Sequence, residues 1–321
     1  MVHIQKYHGT GNDFVVVDAA ERVGDRRAFA RALCDRTTGI SHPDSPHIGA
    51  DGVLFLHLET EYASPRVVMT LVQPDGSVAA MCGNGARCAA RWAAERTGSD
   101  EVMIDTQSGT RRAVIAREAP DDGNRGHGDD RGFGDDVTIE MGRPRFLPGA
   151  VPVQTAEPLV QEHVEGLTVT AVNTGVPHAV SFVEDVDAVD LEDVAPAVRH
   201  ADVFPEGANV TLASRVAPVG DEDAAFRQRT YERGVEGETD SCGTGAVAIA
   251  AVAHRLGRIG TGETVRVTPP GGDLFVTVTD DDALLRGPAV FEFEAEVPEP
   301  GVGPDAELDV DLTDAGTNTG D

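Results

Sequence analysis

Two short stretches repeat one arrangement of reactive residues. In MCGNGARCAARW (residues 81–92) and SCGTGAVAIAAVAH (residues 241–254), a cysteine precedes a Gly-x-Gly turn and then an alanine-rich run. Cys82 and Cys242 each fall at the expected start of a helix, where unpaired backbone N–H groups and the helix dipole favour an anion. A thiolate is stabilised at such a point, so both thiol pKa values are expected to fall towards neutrality. The glycines let a ligand approach the backbone closely, and the exposed N–H groups can hold a carboxylate. A single copy of this device is more often a packed cysteine at a tight turn. Two copies, one in each half of the chain, point to paired acid–base chemistry. If the halves face each other, a substrate carboxylate sits between both helix starts, with its α-carbon between two sulfurs. One sulfur, as thiolate, removes the α-hydrogen, and the other, as thiol, returns a proton from the opposite face. The helix dipoles stabilise the charge that develops on the way. The result is inversion at carbon.

Other chemistries fit less well. Neither turn carries the Gly-Lys-Ser/Thr of a phosphate-binding loop, and a plain anion binder needs no cysteine in both copies. Cys82 and Cys88 lie six apart without a CxxC pair or a neighbouring histidine run, so no metal site is expected. Cys34 reads as core packing beside Phe29 and Leu33.

The elements that must position these cysteines follow from periodicity. IQKYHGTGNDFVVVDA reads as strand, glycine turn, strand, and residues 25–36 suit a helix. GADGVLFLHLE and PRVVMTLVQPDGS read as strands, and VMIDTQSGTRRAVIARE as a hairpin around Ser108-Gly109. Residues 119–136 are Gly/Asp-rich and read as an exposed insertion. The second half repeats the pattern through VTAVNTGVPHAVSFVED, EGANVTLAS and FRQRTYERGVEGETDSCGTGA. Strands flank the Pro269-Pro270-Gly271-Gly272 turn, and residues 288–297 form a final strand. Small residues on every face of the two alanine-rich runs suit helices wrapped by sheet, with Gly98 and Gly257 as stops. The tail from 298 to 321 is acidic and expected to be disordered. The chain thus reads as two half-chains of mixed sheet, 1–140 and 141–287, followed by the final strand.

Composition narrows the setting. The 321 residues carry 55 acidic and 26 basic side chains, a net charge of −29, and Lys6 is the only lysine. Such a surface repels nucleic acid and anionic membranes. It suits a cytoplasm at high salt, where screening relieves self-repulsion. No apolar run is long enough to span a membrane, and the N-terminus lacks a signal-peptide pattern, so a cytoplasmic location is expected.

The sequence resembles the diaminopimelate epimerase family. The resemblance rests on HGTGNDFVVVD (8–18), IGADG (48–52), PDGSVAAMCGNGARC (74–88), PHAV (177–180), GANV (207–210), YERGVEGETDSCGTGA (231–246) and GPAV (287–290), in that order. It implies a mixed α/β (α+β) fold of two pseudo-symmetric domains, each a β-barrel-like sheet around a central helix, with the last strand, 288–297, returning to the first domain. It implies cofactor-free interconversion of LL- and meso-diaminopimelate in lysine biosynthesis. Cys82 and Cys242 match the two catalytic cysteines, Cys82 serving the LL centre and Cys242 the opposite face. His178 and Glu232 match residues beside the thiols that can accept a thiol proton. Gly83, Asn84, Gly243 and Thr244 match the cradle of the reacting carboxylate. Asn12, Asn209 and Arg233 match side chains that hold the substrate, with the planar fork of arginine suited to a carboxylate. Two positions depart from the family pattern, Gln73 and Val176, both of which usually carry asparagine and contact the distal end. Other readings are an epimerase of proline or hydroxyproline type. The partner expected is a small-molecule substrate, and a homodimer is allowed.

Overall fold

The computed structural model describes residues 1–117 and 133–299. Most of the expected 119–136 insertion, and the expected disordered tail from residue 300 onward, lie outside the described residues. The first half runs β1 (Val2–Gly9), β2 (Asn12–Asp18), α1 (Arg26–Cys34), β3 (Gly52–Glu59), β4 (Arg66–Val72), β5 (Val78–Ala79), α2 (Gly83–Thr97), β6 (Glu101–Thr106), β7 (Gly109–Arg117) and β8 (Phe133–Glu140). The second runs β9 (Glu162–Val164), β10 (Leu167–Asn173), β11 (Pro177–Phe182), α3 (Leu191–Arg199), β12 (Asn209–Val216), β13 (Ala224–Glu232), β14 (Gly237–Thr239), α4 (Gly243–Arg255), β15 (Thr264–Thr268), β16 (Leu274–Val278) and β17 (Ala283–Pro288). The final strand is β18 (Val290–Val297).

The two halves follow one wiring plan. β1–β2 is antiparallel, β2–β3 parallel, β3–β4 antiparallel and β4–β6 parallel, after which β6, β7 and β8 pair antiparallel. The same sequence of pairings joins β10, β11, β12, β13, β15, β16 and β17. Each parallel step needs a crossover. α1 and α3 supply the outer ones, and α2 and α4 the inner ones. β17 also pairs with β8, which joins the halves, and β18 pairs antiparallel with β1.

The inner helices are wrapped by sheet. α2 contacts strands of the first half from β1 to β8, and α4 contacts β10–β13 and β15–β17. Ala86, Ala89, Ala90, Ala93 and Ala94 are fully buried on α2, as are Ala246, Ala248, Ala250 and Ala253 on α4. A helix apolar on all sides belongs in a core, and small side chains let strands pack closely around it. α2 stops at Gly98, whose φ of 72° is left-handed, and Gly257 after α4 has φ 67°.

Two elements differ from expectation. β8 opens at Phe133, inside the segment read as insertion, because buried Val137 and Ile139 alternate with half-buried residues in a strand pattern. α3 was not anticipated. Asp190 caps it by accepting from the Asp193 N–H, and Leu191, Ala195 and Val198 are buried while Pro196 sits inside the helix. No helix among the described residues is long and apolar enough to cross a membrane.

Candidate active site at two facing helix starts

The starts of α2 and α4 meet. A methyl placed on Gly83 would lie 3.7 Å from Gly243 Cα, and Leu285 of β17 would press on methyls at both glycines. Cys82 and Cys242 occupy the two N-cap positions in extended conformation. Cys82 Sγ accepts from the Gly85 N–H at 3.4 Å. Neither helix has an acidic residue in its first turn, so neither cancels its own dipole where the two positive ends face each other.

On the α4 side a directional chain reaches the sulfur. Asn209 Oδ1 accepts the Arg233 N–H at 2.7 Å, which turns its Nδ2 towards His178 Nε2 at 3.3 Å. Nε2 is therefore the acceptor of the ring, and Nδ1 donates to Thr211 Oγ1 at 3.0 Å. Thr244 Oγ1, 3.0 Å from Nε2, donates to it, which leaves the hydroxyl oxygen open to the Cys242 thiol at 3.4 Å. His178 thus touches Thr244 and hydrogen-bonds to neither cysteine. Glu232 does reach Cys242, with Thr239 donating to its carboxylate at 2.6 Å. Gln228 donates to the Cys242 carbonyl at 3.0 Å.

On the α2 side the chain is made of carboxamides. Arg87 donates to Asn84 Oδ1 at 2.8 Å, Asn84 Nδ2 donates to Asn12 Oδ1, and Asn12 Nδ2 donates to Asp51 at 3.0 Å. Asn84 also donates to Ser241 Oγ at 3.1 Å, a bond from one half to the other.

Protonation differs from the sequence-based expectation. The helix starts were expected to lower both thiol pKa values, but burial outweighs the N–H groups. The Cys82 thiol is pushed up to about 11 and that of Cys242 well above its ordinary value, with Glu232 adding to the rise in both. Burial also raises Glu232 above the usual carboxylate range. His178 is driven down to about 3 by burial and by Arg233, so its ring is neutral. The resting site therefore holds two thiols. Cys34 and Cys88 are buried, and each is raised to about 12, which makes both inert.

The chain matches the family profile described as Diaminopimelate epimerase over residues 4–124 and 170–292. It is 42% identical over 291 residues to the diaminopimelate epimerase of Methanothrix thermoacetophila, covering 89% of this chain and 92% of that one. It is 40% identical to the enzyme of the same name from Methanocella arvoryzae, covering 92% and 96%. The chain belongs to the diaminopimelate epimerase family. It is an isomerase that acts on a small-molecule substrate. Among solved structures, a hydroxyproline epimerase from Agrobacterium vitis superposes with a TM-score of 0.57 at 18% identity, covering 91% and 90% of the two chains. A predicted epimerase from Pseudomonas aeruginosa gives 0.61 at 16%, covering 92% and 99%. These two likenesses bear on the fold alone.

The remaining expected residues surround this centre unequally. Arg233 donates from Nη1 to the Glu206 carbonyl at 3.1 Å, and no carboxylate among the described residues pairs with it. Gln73 turns its amide oxygen to Ser77 Oγ at 2.9 Å. Register makes it the counterpart of Glu232: Val72 pairs with Val78 as Tyr231 pairs with Glu238. Val176 has no side-chain donor. Arg87, Asp51, Gln228 and Ser241 were not singled out from sequence. Arg87 carried one signal, a cation among the small residues of a run expected to be wrapped by sheet.

Proposed function

We propose that Cys82 and Cys242 are the acid and base with which the protein interconverts LL- and meso-diaminopimelate on the route to lysine. The observation that carries this reading is the meeting of two cysteine-capped helix starts at Gly83 and Gly243. The substrate α-carboxylate accepts from the backbone of Gly83, Asn84, Gly243 and Thr244. One thiol proton of the resting pair first passes to the Glu232 carboxylate, which faces both cysteines. The Cys82 thiolate so formed takes the α-proton from the LL centre, and the Cys242 thiol delivers one to the other face. The pair ends as Cys82 thiol and Cys242 thiolate, so protons and charge balance within it. The reverse direction exchanges the roles.

The raised thiol pKa values serve this chemistry. A more basic thiolate lies closer in proton affinity to a weakly acidic C–H bond. Glu232 exchanges a proton with Cys242 and so sets which member of the pair is ionised. His178, held neutral, acts through Thr244 to orient the thiol. Arg233 and Asn209 hold the distal amino acid end of the substrate, Arg233 with its fork on the far carboxylate. Asn12 turns its remaining N–H to the substrate.

A second substrate class, amino acids without a charged distal end, is favoured by Val176 alone. A lost hydrogen bond to a charged group costs about 1.5–3 kcal/mol. Both readings are tested by assaying wild type, Cys82→Ser and Cys242→Ser with LL-diaminopimelate, proline and hydroxyproline. Each folded serine variant should lose about 10²–10⁴-fold in turnover of diaminopimelate. Wild-type rates in either variant would refute the cysteine assignment. Turnover of proline without diaminopimelate would instead replace the substrate.

A further inference from the structure

Arg87 is the feature that the acid–base pair leaves unexplained. It is 0% exposed, and no carboxylate among the described residues lies within ion-pair reach of it. Its Nη1 has no hydrogen-bond partner there. Burying an unpaired cation is costly, and here burial lowers even the guanidinium to about 10. The surroundings are nevertheless built for it. Nε donates to the Pro288 carbonyl at 3.0 Å, and Nη2 to Thr10 Oγ1 at 2.9 Å and Asn84 Oδ1 at 2.8 Å. A methyl on Gly9 would lie 3.3 Å from Nη2, and one on Gly287 3.2 Å from the guanidinium carbon.

The cation is also one-sided. Arg87 follows Cys82 by five positions, and Val247 follows Cys242 by five. Only the first device has a charge at this position. From Arg87 two carboxamides run head to tail, Asn84 and then Asn12, and end on the carboxylate of Asp51. A cation at one end and an anion at the other allow each amide a single orientation. With Arg87 removed, Asn84 is free to turn.

We propose that Arg87 is a positioning residue of the epimerase: it fixes the amides of Asn84 and Asn12 and supplies the counter-charge for the anion that forms at the Cys82 helix start. The inference rests on the reading of Cys82 and Cys242 as the acid–base pair. The titratable and charged groups facing Arg87 are Cys82 and Cys88 on its own helix and Asp136 on β8, while Glu232 on β13 faces Cys82 from the other half.

Charge and geometry are separated by Arg87→Gln, which keeps donors and loses charge, and Arg87→Lys, which keeps charge and loses the fork. The readouts are the pH profile of kcat/KM and the KM for LL-diaminopimelate, with circular dichroism to confirm folding. Arg87→Gln should move the acidic limb of kcat/KM up by about one pH unit. Arg87→Lys should leave that limb in place and raise KM about tenfold through the loosened amides. Folded variants with the wild-type limb and KM would overturn the proposal. If only Arg87→Lys folds, its KM decides alone. Cys82→Ser and Cys242→Ser run alongside: activity surviving in them would sink the acid–base reading, whereas dead serine variants beside unaltered Arg87 variants would sink this inference only.

Discussion

At His178, burial decides the protonation state before any partner does. The ring is fully enclosed, accepts from Thr244 and donates to Thr211, and its folded pKa lies near 3 against an ordinary 6.5. Between those values the unfolded chain binds a proton that the folded chain refuses. Stability from this group is therefore complete above pH 6.5 and is lost as pH falls towards 3. The slope contributed is at most about 1.4 kcal/mol per pH unit. Urea unfolding of wild type and His178→Gln between about pH 4 and pH 7 should show a shallower slope in the variant. Equal slopes would mean that His178 is not held neutral. The same enclosure explains what could be read at this scale and what could not. Cys82 and Cys242 were legible because their spacing to glycine repeats. Their protonation was not, since the N–H groups of a helix start are visible in the sequence and the desolvation of the thiols is not. The Thr244 link between His178 and Cys242, and the position of Arg87, depend on side chains meeting from distant strands.

The repeated helix start is one element used twice, yet its two copies are packed to different tightness. A methyl on Gly245 would lie 2.6 Å from Gln228 Nε2 and 3.3 Å from Cys242 Sγ. Gln228 is buried and held by Thr230 and the Cys242 carbonyl, so it cannot yield cheaply. The corresponding methyl on Gly85 meets Leu54 at 3.2 Å, a side chain with more freedom to shift. Gly245→Ala should cost about 1–3 kcal/mol in stability, and Gly85→Ala less. Urea denaturation of both variants checks the order, and an equal or inverted cost would contradict it. Hairpins and the two alanine-rich helices were visible in sequence because glycine turns and small residues mark them. α3 was hidden by Pro196, and the start of β8 by the Gly/Asp-rich residues before it.

Across the whole molecule, two copies of one wiring plan turn their inner helices head to head. We read residues 1–140 with strand 288–297, and residues 141–287, as the two structural halves, with the reacting carbon between them. Lys6, the sole lysine, is fully buried and paired with Asp13 at 2.7 Å. Among the described residues the exposed lysine or arginine side chains are therefore all arginines. The central claim is that two groups on opposite faces handle the proton, and isotope transfer tests it most directly. LL-diaminopimelate is converted in D₂O, and substrate and product are separated at low conversion and examined by NMR. With two bases, deuterium appears at the inverted carbon of the product while the remaining LL substrate is still protiated. Cys82→Ser and Cys242→Ser should block that conversion. Deuterium entering recovered substrate as fast as product would mean that a single base serves both faces, which contradicts the two-cysteine arrangement.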